Sequence, residues 1–380
     1  MIADGKAFVR IAQLRGRIAA LARGGRYDLT LELLGDLVRA DLGLGLPADA
    51  LLRARQSARL AEERGEPIAG SLVVLAATLL SANAFGEAVD AAALAIDRAV
   101  PAERARIETM ARLVGGAGQR RLGRFAEARI LLDAARGAAA RLGERSLAGF
   151  ALAELAWVDL AEDRPAAAAT CFEFAAEFLR RAEPDGPAYR SSVDCEALAV
   201  AAWATADELE RATERAAVAA DTARAAQRFE LIAYVDGVLA DLALRAAPDA
   251  AAEACALAAE SATTNAEALA ARPPSTDGLE RGRQNLAREL VAQARLRQVR
   301  TADASEDRAR HLEAGIELAL ALERPRASAR LGAFLFDLVD DAERAAQRPV
   351  RGELERLAGA IAGLGDQELT AMARAVLAEL

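Results

Sequence analysis

One histidine, one lysine, three cysteines and 4% aromatic residues leave 380 residues with little of the usual equipment of catalysis. With His311 as the only histidine, serine–histidine triads, histidine-paired nucleophiles and multi-histidine metal sites are excluded. Cys171, Cys195 and Cys255 have no C-x-x-C spacing, so no zinc site of the usual kind is expected. Odd in number and set in apolar helical patterns, they read as reduced, buried small hydrophobes of a cytoplasmic protein. No apolar run reaches the ~18 residues of a membrane-spanning helix. The opening "MIADGKAFVRIAQLRGRIAALA" scatters charge where a secretion signal needs an apolar core, so no signal is expected. Net charge is -9, with both signs interspersed and no basic stripe, so neither nucleic acid nor a membrane surface is an expected partner. The near-exclusive use of arginine as the basic residue reads as coding bias in a GC-rich genome.

What the chain does have is alanine and helical period. Alanine is the strongest helix former and lets helices approach closely. "SLVVLAATLL" (71–80), "FALAELAWVDLAE" (150–162) and "ELIAYVDGVLADLAL" (230–244) place apolar residues at i, i+3, i+4 and i+7, the period of a helix. Alternating strand patterns do not occur. Pro47, Pro67, Pro101, Pro165, Pro187, Pro248 and Pro349 fall between periodic stretches. "TADE" (205–208), "DGLE" (277–280) and "DASE" (303–306) carry a capping residue followed three later by glutamate, which predicts helix starts. Long helices with short connections predict antiparallel hairpins.

The hairpins recur. "NAFGEAV", "GRFAEAR", "DRPAAAA", "DELERAT" and "APDAAAEA" place Phe85, Phe125, Pro165, Leu209 and Asp249 three residues before Ala88, Ala128, Ala168, Ala212 and Ala252, in steps of 40, 40, 44 and 40. A fixed period in this range means stacked structural units. Before the turns stand Leu75–Ala76, Gly115–Gly116, Leu155–Ala156 and Leu239–Ala240; after them come Ala135, Ala175 and Ala219.

Together these residues resemble the tetratricopeptide repeat, in which a leucine–glycine pair, a turn aromatic and seam alanines let two helices pack tightly. The resemblance covers roughly 71–261, and more loosely the stretch around Tyr27 and the tail after Ala333. It implies an all-α, right-handed superhelical solenoid of antiparallel hairpins. The period is nearer 40 than the family's 34, similar to the long repeats of sensor halves of bacterial transcription activators, peptide-sensing quorum regulators and kinesin light chains. The family's early tryptophan and late proline are absent, and Asp159 and Trp203 stand where it usually has tyrosine. The expected organisation is 1–66, degenerate N-terminal hairpins; 67–271, the regular solenoid; and 272–380, a C-terminal helical section. The breaker "ARPPSTDG" (271–278) marks the last boundary, and "ELTAMARAVLAEL" is expected to cap the stack.

Two short motifs invite chemistry and are better read without it. "LVGGAGQ" (113–119) has no preceding strand and no following G-K-[ST], so close helix packing is expected rather than a phosphate loop. "FDLVDDAE" (336–343) loosely matches the metal-binding aspartates of helical terpene cyclases, but the chain lacks the aromatics to line their cavity; a hydrated acidic face is expected. No catalytic residue, metal ligand or cofactor is assigned.

In the family the first helix of each hairpin lines a concave face. The resemblance, phased from the turns, places Met110, Leu113, Arg120, Arg121, Phe150, Trp157, Asp194, Tyr234, Asp241 and Arg245 there. Aromatic and arginine side chains anchor interfaces. The expected function is a non-enzymatic scaffold or adaptor that holds a protein or peptide in this groove. A ligand-sensing module acting on a separate effector chain is the second reading, and a helical enzyme a remote third. The competing account of the groove is that the chain's own C-terminal helices fill it.

Overall fold

A computed structural model describes residues 2–43, 47–101, 104–182, 187–226, 228–246, 251–270 and individual residues between 287 and 301. His311, "ARPPSTDG", "FDLVDDAE" and the expected capping helix lie outside the described residues. Every regular element among those described is α-helical. The described residues fall into two compact units, one up to Glu208 and one from Leu209 onwards.

Unit 1 contains α1 (Ile2–Arg23), α2 (Tyr27–Gly43), α3 (Pro47–Arg64), α4 (Ala69–Ser81), α5 (Phe85–Asp97), α6 (Arg104–Arg121), α7 (Phe125–Leu142), α8 (Arg145–Ala161), α9 (Pro165–Ala182) and α10 (Pro187–Thr205). Each helix packs on the next, and the short connections make neighbours antiparallel. The even helices also pack on one another in series, α2 on α4, α4 on α6, α6 on α8 and α8 on α10. The result is an all-α, tetratricopeptide-like stack of hairpins with the first helices in one continuous row.

The turns that close the hairpins share one geometry. Asn83, Gly123, Asp163 and Asp207 all adopt positive φ (61°, 75°, 56° and 61°), each two residues before the next helix begins. The residue after each donates its N–H back across the turn: Ala84 to Leu79 O (2.9 Å), Arg124 to Gln119 O (2.9 Å), Arg164 to Asp159 O (2.8 Å) and Glu208 to Trp203 O (3.1 Å). This is the six-to-one bond of a Schellman ending, which needs a left-handed residue and so favours Gly, Asn or Asp. The repeating signal is therefore the Asn, Gly, Asp, Asp series as much as the aromatic two places on.

Two local expectations need correction. Thr205 does not cap α11; it is the last residue of α10, and its Oγ donates to Ala201 O at 2.8 Å. The turn at Gly25 and Tyr27 has the same left-handed ending, but it leads into α2, which packs beside α4 in the first-helix row. The hairpin in phase with the later ones is thus α2–α3, and the Tyr27 match is out of register.

The seam alanines do what close packing requires: Ala88, Ala128 and Ala168 have no exposed surface. "LVGGAGQ" lies inside α6, with Gly115, Gly116 and Gly118 buried. A Cβ at Gly116 would stand 2.7 Å from Leu132 Cγ of α7, and one at Gly149 of α8 2.7 Å from Leu179 Cγ of α9. Only hydrogen fits at either crossing.

Unit 2 holds α11 (Leu209–Ala225), α12 (Phe229–Ala246) and α13 (Ala252–Ala270), again packed in sequence. Residues 287–298 are helical where described; Leu290 and Ala294 are buried against Ala233 of α12 and Ala259 and Ala262 of α13.

Candidate partner-binding face

In unit 1 the residues selected from the sequence divide into supports and exposed groups. Met110 of α6 is half-buried against the core between α4 and α5. Leu113 is half-buried against Ala128 and Leu132 of α7 and Leu155 and Val158 of α8. Both build the crossing of hairpins more than they offer a surface. Phe150 of α8 and Asp194 of α10 are half-buried, and Trp157 of α8 is 37% exposed.

Trp157 is held from beneath and from the side. Its ring meets the fully buried Phe172 of α9 edge-on, centroids 5.5 Å apart at 84°. The Arg120 guanidinium lies 5.9 Å from the indole centroid, a cation–π contact. Arg120 Nε donates to Glu154 Oε2 at 2.7 Å, tying the end of α6 to the middle of α8. Phe150, Glu154 and Trp157 are separated by four and three residues, so they share one face of α8.

Arg121, next along, is exposed and has no ion-pair partner among the described residues. Partial desolvation, then repulsion from Arg120, lower its pKa; Glu154 works the other way. Two arginines and one glutamate leave a local excess of positive charge beside the indole, on a chain of net charge -9.

In unit 2, two of the three selected residues are engaged by the chain itself. Tyr234 packs against the cluster that Leu290 and Ala294 form with Ala233, Ala259 and Ala262. Asp241 accepts a bidentate pair from Arg297, Nε at 2.7 Å and Nη2 at 2.8 Å. The Arg297 guanidinium lies against Gly237, where a Cβ would come within 3.1 Å of it. Arg245 is exposed near the end of α12 and has its own interactions.

Sequence reasoning missed Glu154 and Arg297, the partners that decide which selected charges are occupied. Their only local signal is an acidic residue one turn from Phe150 and Trp157, and an arginine on a helical stretch. It also missed a second network beneath the α8–α9 turn. There the buried Asp159 accepts from Arg129 (2.7 Å) and Arg164 (2.6 Å), both of which also reach Glu162. Cys171 lies 3.7 Å from the same carboxylate; burial, then the Asp159 charge, push its thiol up to about 11. The Cys195 thiol is pushed to about 12, chiefly by burial. Neither is a thiolate near neutrality, so neither is an available nucleophile. The described residues hold no group of three or more His, Cys, Asp and Glu able to hold a metal ion, and no helix among them is long and apolar enough to cross a membrane.

No protein-family model and no curated protein matches the sequence. Among solved structures, the chain is similar to a complex of Naa15/Naa10 bound to HypK-THB, with 14% identity, 97% of this chain and 64% of that one covered, and a TM-score of 0.29. It is also similar to the APC/C hetero-tetramer Cut9–Hcn1 (10% identity, 97% and 94% covered, TM-score 0.25). A circular tandem repeat protein with enhanced subunit contact surfaces gives 15% identity, 97% and 87% covered, and a TM-score of 0.19. The fold assignment rests on the helix order and packing described above.

Proposed function

We propose that this chain is a non-enzymatic scaffold that binds a protein or peptide segment on the first-helix row of unit 1. Trp157 and Phe150 are the apolar anchors, and Arg121 receives an acidic group of the segment. The observation that carries this reading is the mounting of Trp157. A large indole is left partly in water, yet is fixed by Phe172 below and Arg120 beside it. A prepositioned aromatic loses little side-chain freedom on binding, which is why such residues dominate interface energetics. Met110, Leu113 and Asp194 frame the face from α6 and α10, and no role in chemistry is assigned to them. In unit 2 the surface of α12 with Tyr234, Asp241 and Arg245 is secondary, because the cluster around Leu290 and the Arg297 guanidinium already engage two of its three side chains. The three free cysteines, Cys171 half-buried and Cys195 and Cys255 buried, fit a cytoplasmic setting.

The reading is tested by installing a photo-crosslinking amino acid at the exposed Ala161, one turn beyond Trp157 on α8, and, separately, at the exposed Phe174 of α9. The expected result is one partner joined through 161 and not through 174, its capture lost when Trp157→Ala and Arg121→Glu are added to the position-161 protein and that protein melts like the parent. The same partner captured equally through both positions, or capture unaffected by the double substitution, overturns it.

A further inference from the structure

One face of α12 is shaped as a seat for a guanidinium, and the chain fills it with its own Arg297. Tyr234, Gly237 and Asp241 are spaced by three and four residues, so they line one face of the helix. Gly237 is the floor of the seat. A Cβ there would stand 3.1 Å from Nη1, 3.3 Å from Cζ and 3.3 Å from Nη2 of Arg297, and three nearly equal distances mean that the guanidinium lies flat over the glycine. Asp241, one turn on, accepts from its edge through Nε at 2.7 Å and Nη2 at 2.8 Å. A planar cation suits such a seat; an ammonium has neither the flat face nor the paired edge.

The rest of the docked stretch is arranged to match. Leu290, Ala294 and Arg297, spaced by four and three, share one side of it. Leu290 and Ala294 are buried with Ala233, Ala259 and Ala262, and Leu290 is the one large side chain buried in that cluster. Its apolar end thus lies at the level of Ala233 and its arginine at Asp241, so the stretch runs in the same direction as α12.

The ion pair is only partly withdrawn from water. The Asp241 side chain keeps 38% of its surface exposed and that of Arg297 12%, so parting them strands no carboxylate in a dry interior. Sixteen residues (271–286), Pro273, Pro274 and Gly278 among them, separate the end of α13 from Ala287. That is enough chain for the stretch to leave α12 while remaining attached.

We infer that residues 287–298 are a built-in ligand of the α12 face, and that an arginine-bearing helix of another chain displaces them. The competing helix offers the same three contacts: an apolar residue, a small one four places on, and an arginine three beyond that. Unit 2 is then closed by its own segment, independently of any partner held by Trp157 in unit 1.

A labelled peptide copying residues 284–302 tests this against the full chain. Fluorescence anisotropy should show it binding the Arg297→Glu chain at least about tenfold more tightly than the wild type, whose seat is taken. Adding Gly237→Leu to the Arg297→Glu chain, or Arg297→Glu to the peptide, should abolish binding. Hydrogen exchange of the wild type gives a check that needs no substitution: amides of 287–298 should exchange at least about tenfold faster than those of 255–265 in α13. Equal binding to the two chains, no binding to the Arg297→Glu chain, indifference to Gly237→Leu, or exchange at 287–298 as slow as in α13 would overturn the inference and make the stretch a fixed member of the stack.

Discussion

Arg120 and Glu154 join two successive first helices, the guanidinium Nε 2.7 Å from the carboxylate and both side chains largely withdrawn from water. The same guanidinium borders the Trp157 ring. One ion pair therefore fixes the offset of α6 against α8 and positions the exposed indole.

Removing the acceptor should be costlier than removing the pair. Glu154→Gln leaves Arg120 partly buried beside a neutral amide, and is expected to lower unfolding stability by about 1–3 kcal/mol. The paired substitution Arg120→Met, Glu154→Leu should recover most of that loss while leaving Trp157 more mobile. Urea melts measure the first effect, and fluorescence anisotropy in a Trp203→Phe background the second. A double variant less stable than Glu154→Gln would show that the pair is stabilising in itself.

The helix crossings make a sharper demand. At Gly116 an added methyl would sit 2.7 Å from Leu132 Cγ, with Ala128 O at 3.3 Å behind it. Leu132 is fully buried and has no free rotamer space to yield. Gly116→Ala should destabilise the protein by about 1–3 kcal/mol, despite alanine's better helix propensity. Gly86→Ala on the open face of α5, where no atom lies within 4 Å, should stabilise it by about 0.5–1 kcal/mol. Thermal melts of the two single variants should move in opposite directions.

The turns offer a matching contrast. Asn83, Asp163 and Asp207 hold a backbone conformation that costs an L-residue about 1 kcal/mol, less for Asn and Asp than for others. Asp163→Gly should therefore be neutral to stabilising. Gly123→Ala should lose about 1 kcal/mol, because its φ of 75° is strained for any side chain even though nothing crowds it. Equal melting temperatures for Gly123→Ala and wild type would remove the left-handed ending as a determinant of the hairpin.

These turns and crossings were legible because they depend on residue size at fixed spacing. Small residues at Gly116, Ala128 and Ala135 and the phased series Phe85, Phe125, Pro165 carry that information along the chain. Thr205 was misread because its hydroxyl has a competing partner, the carbonyl one turn back, and the pattern S/T-x-x-E does not say which wins. The selected residues were legible as positions on α6, α8 and α10 of unit 1 and on α12 of unit 2, but not as occupied or free groups. Glu154 lies 34 residues from Arg120 and Arg297 lies 56 from Asp241, and whether such groups meet depends on the axial offset of packed helices. A periodic pattern fixes which face a residue is on and leaves that offset open.

Asp236 on α12 yields a prediction in pH. It is buried, accepts the Ser261 hydroxyl from α13, and has its pKa raised chiefly by desolvation, with Ser261 and Arg224 opposing. A carboxyl whose folded pKa exceeds its unfolded value of about 3.9 binds its proton more tightly in the native state. Its contribution to stability is thus complete below that unfolded value and is lost as pH rises through the folded one. Near neutrality the charged form is a liability in unit 2. Asp236→Asn keeps an acceptor for Ser261 and removes the charge, so it should melt above wild type at pH 7. The difference should shrink as pH falls from 7 towards 4, through the raised native value, and the buried carboxyl takes up its proton. Melts of both proteins across that range decide the matter: a difference that stays constant with pH, or an Asn variant that melts lower at pH 7, would mean that the carboxylate is held by stronger partners than Ser261 and Arg224.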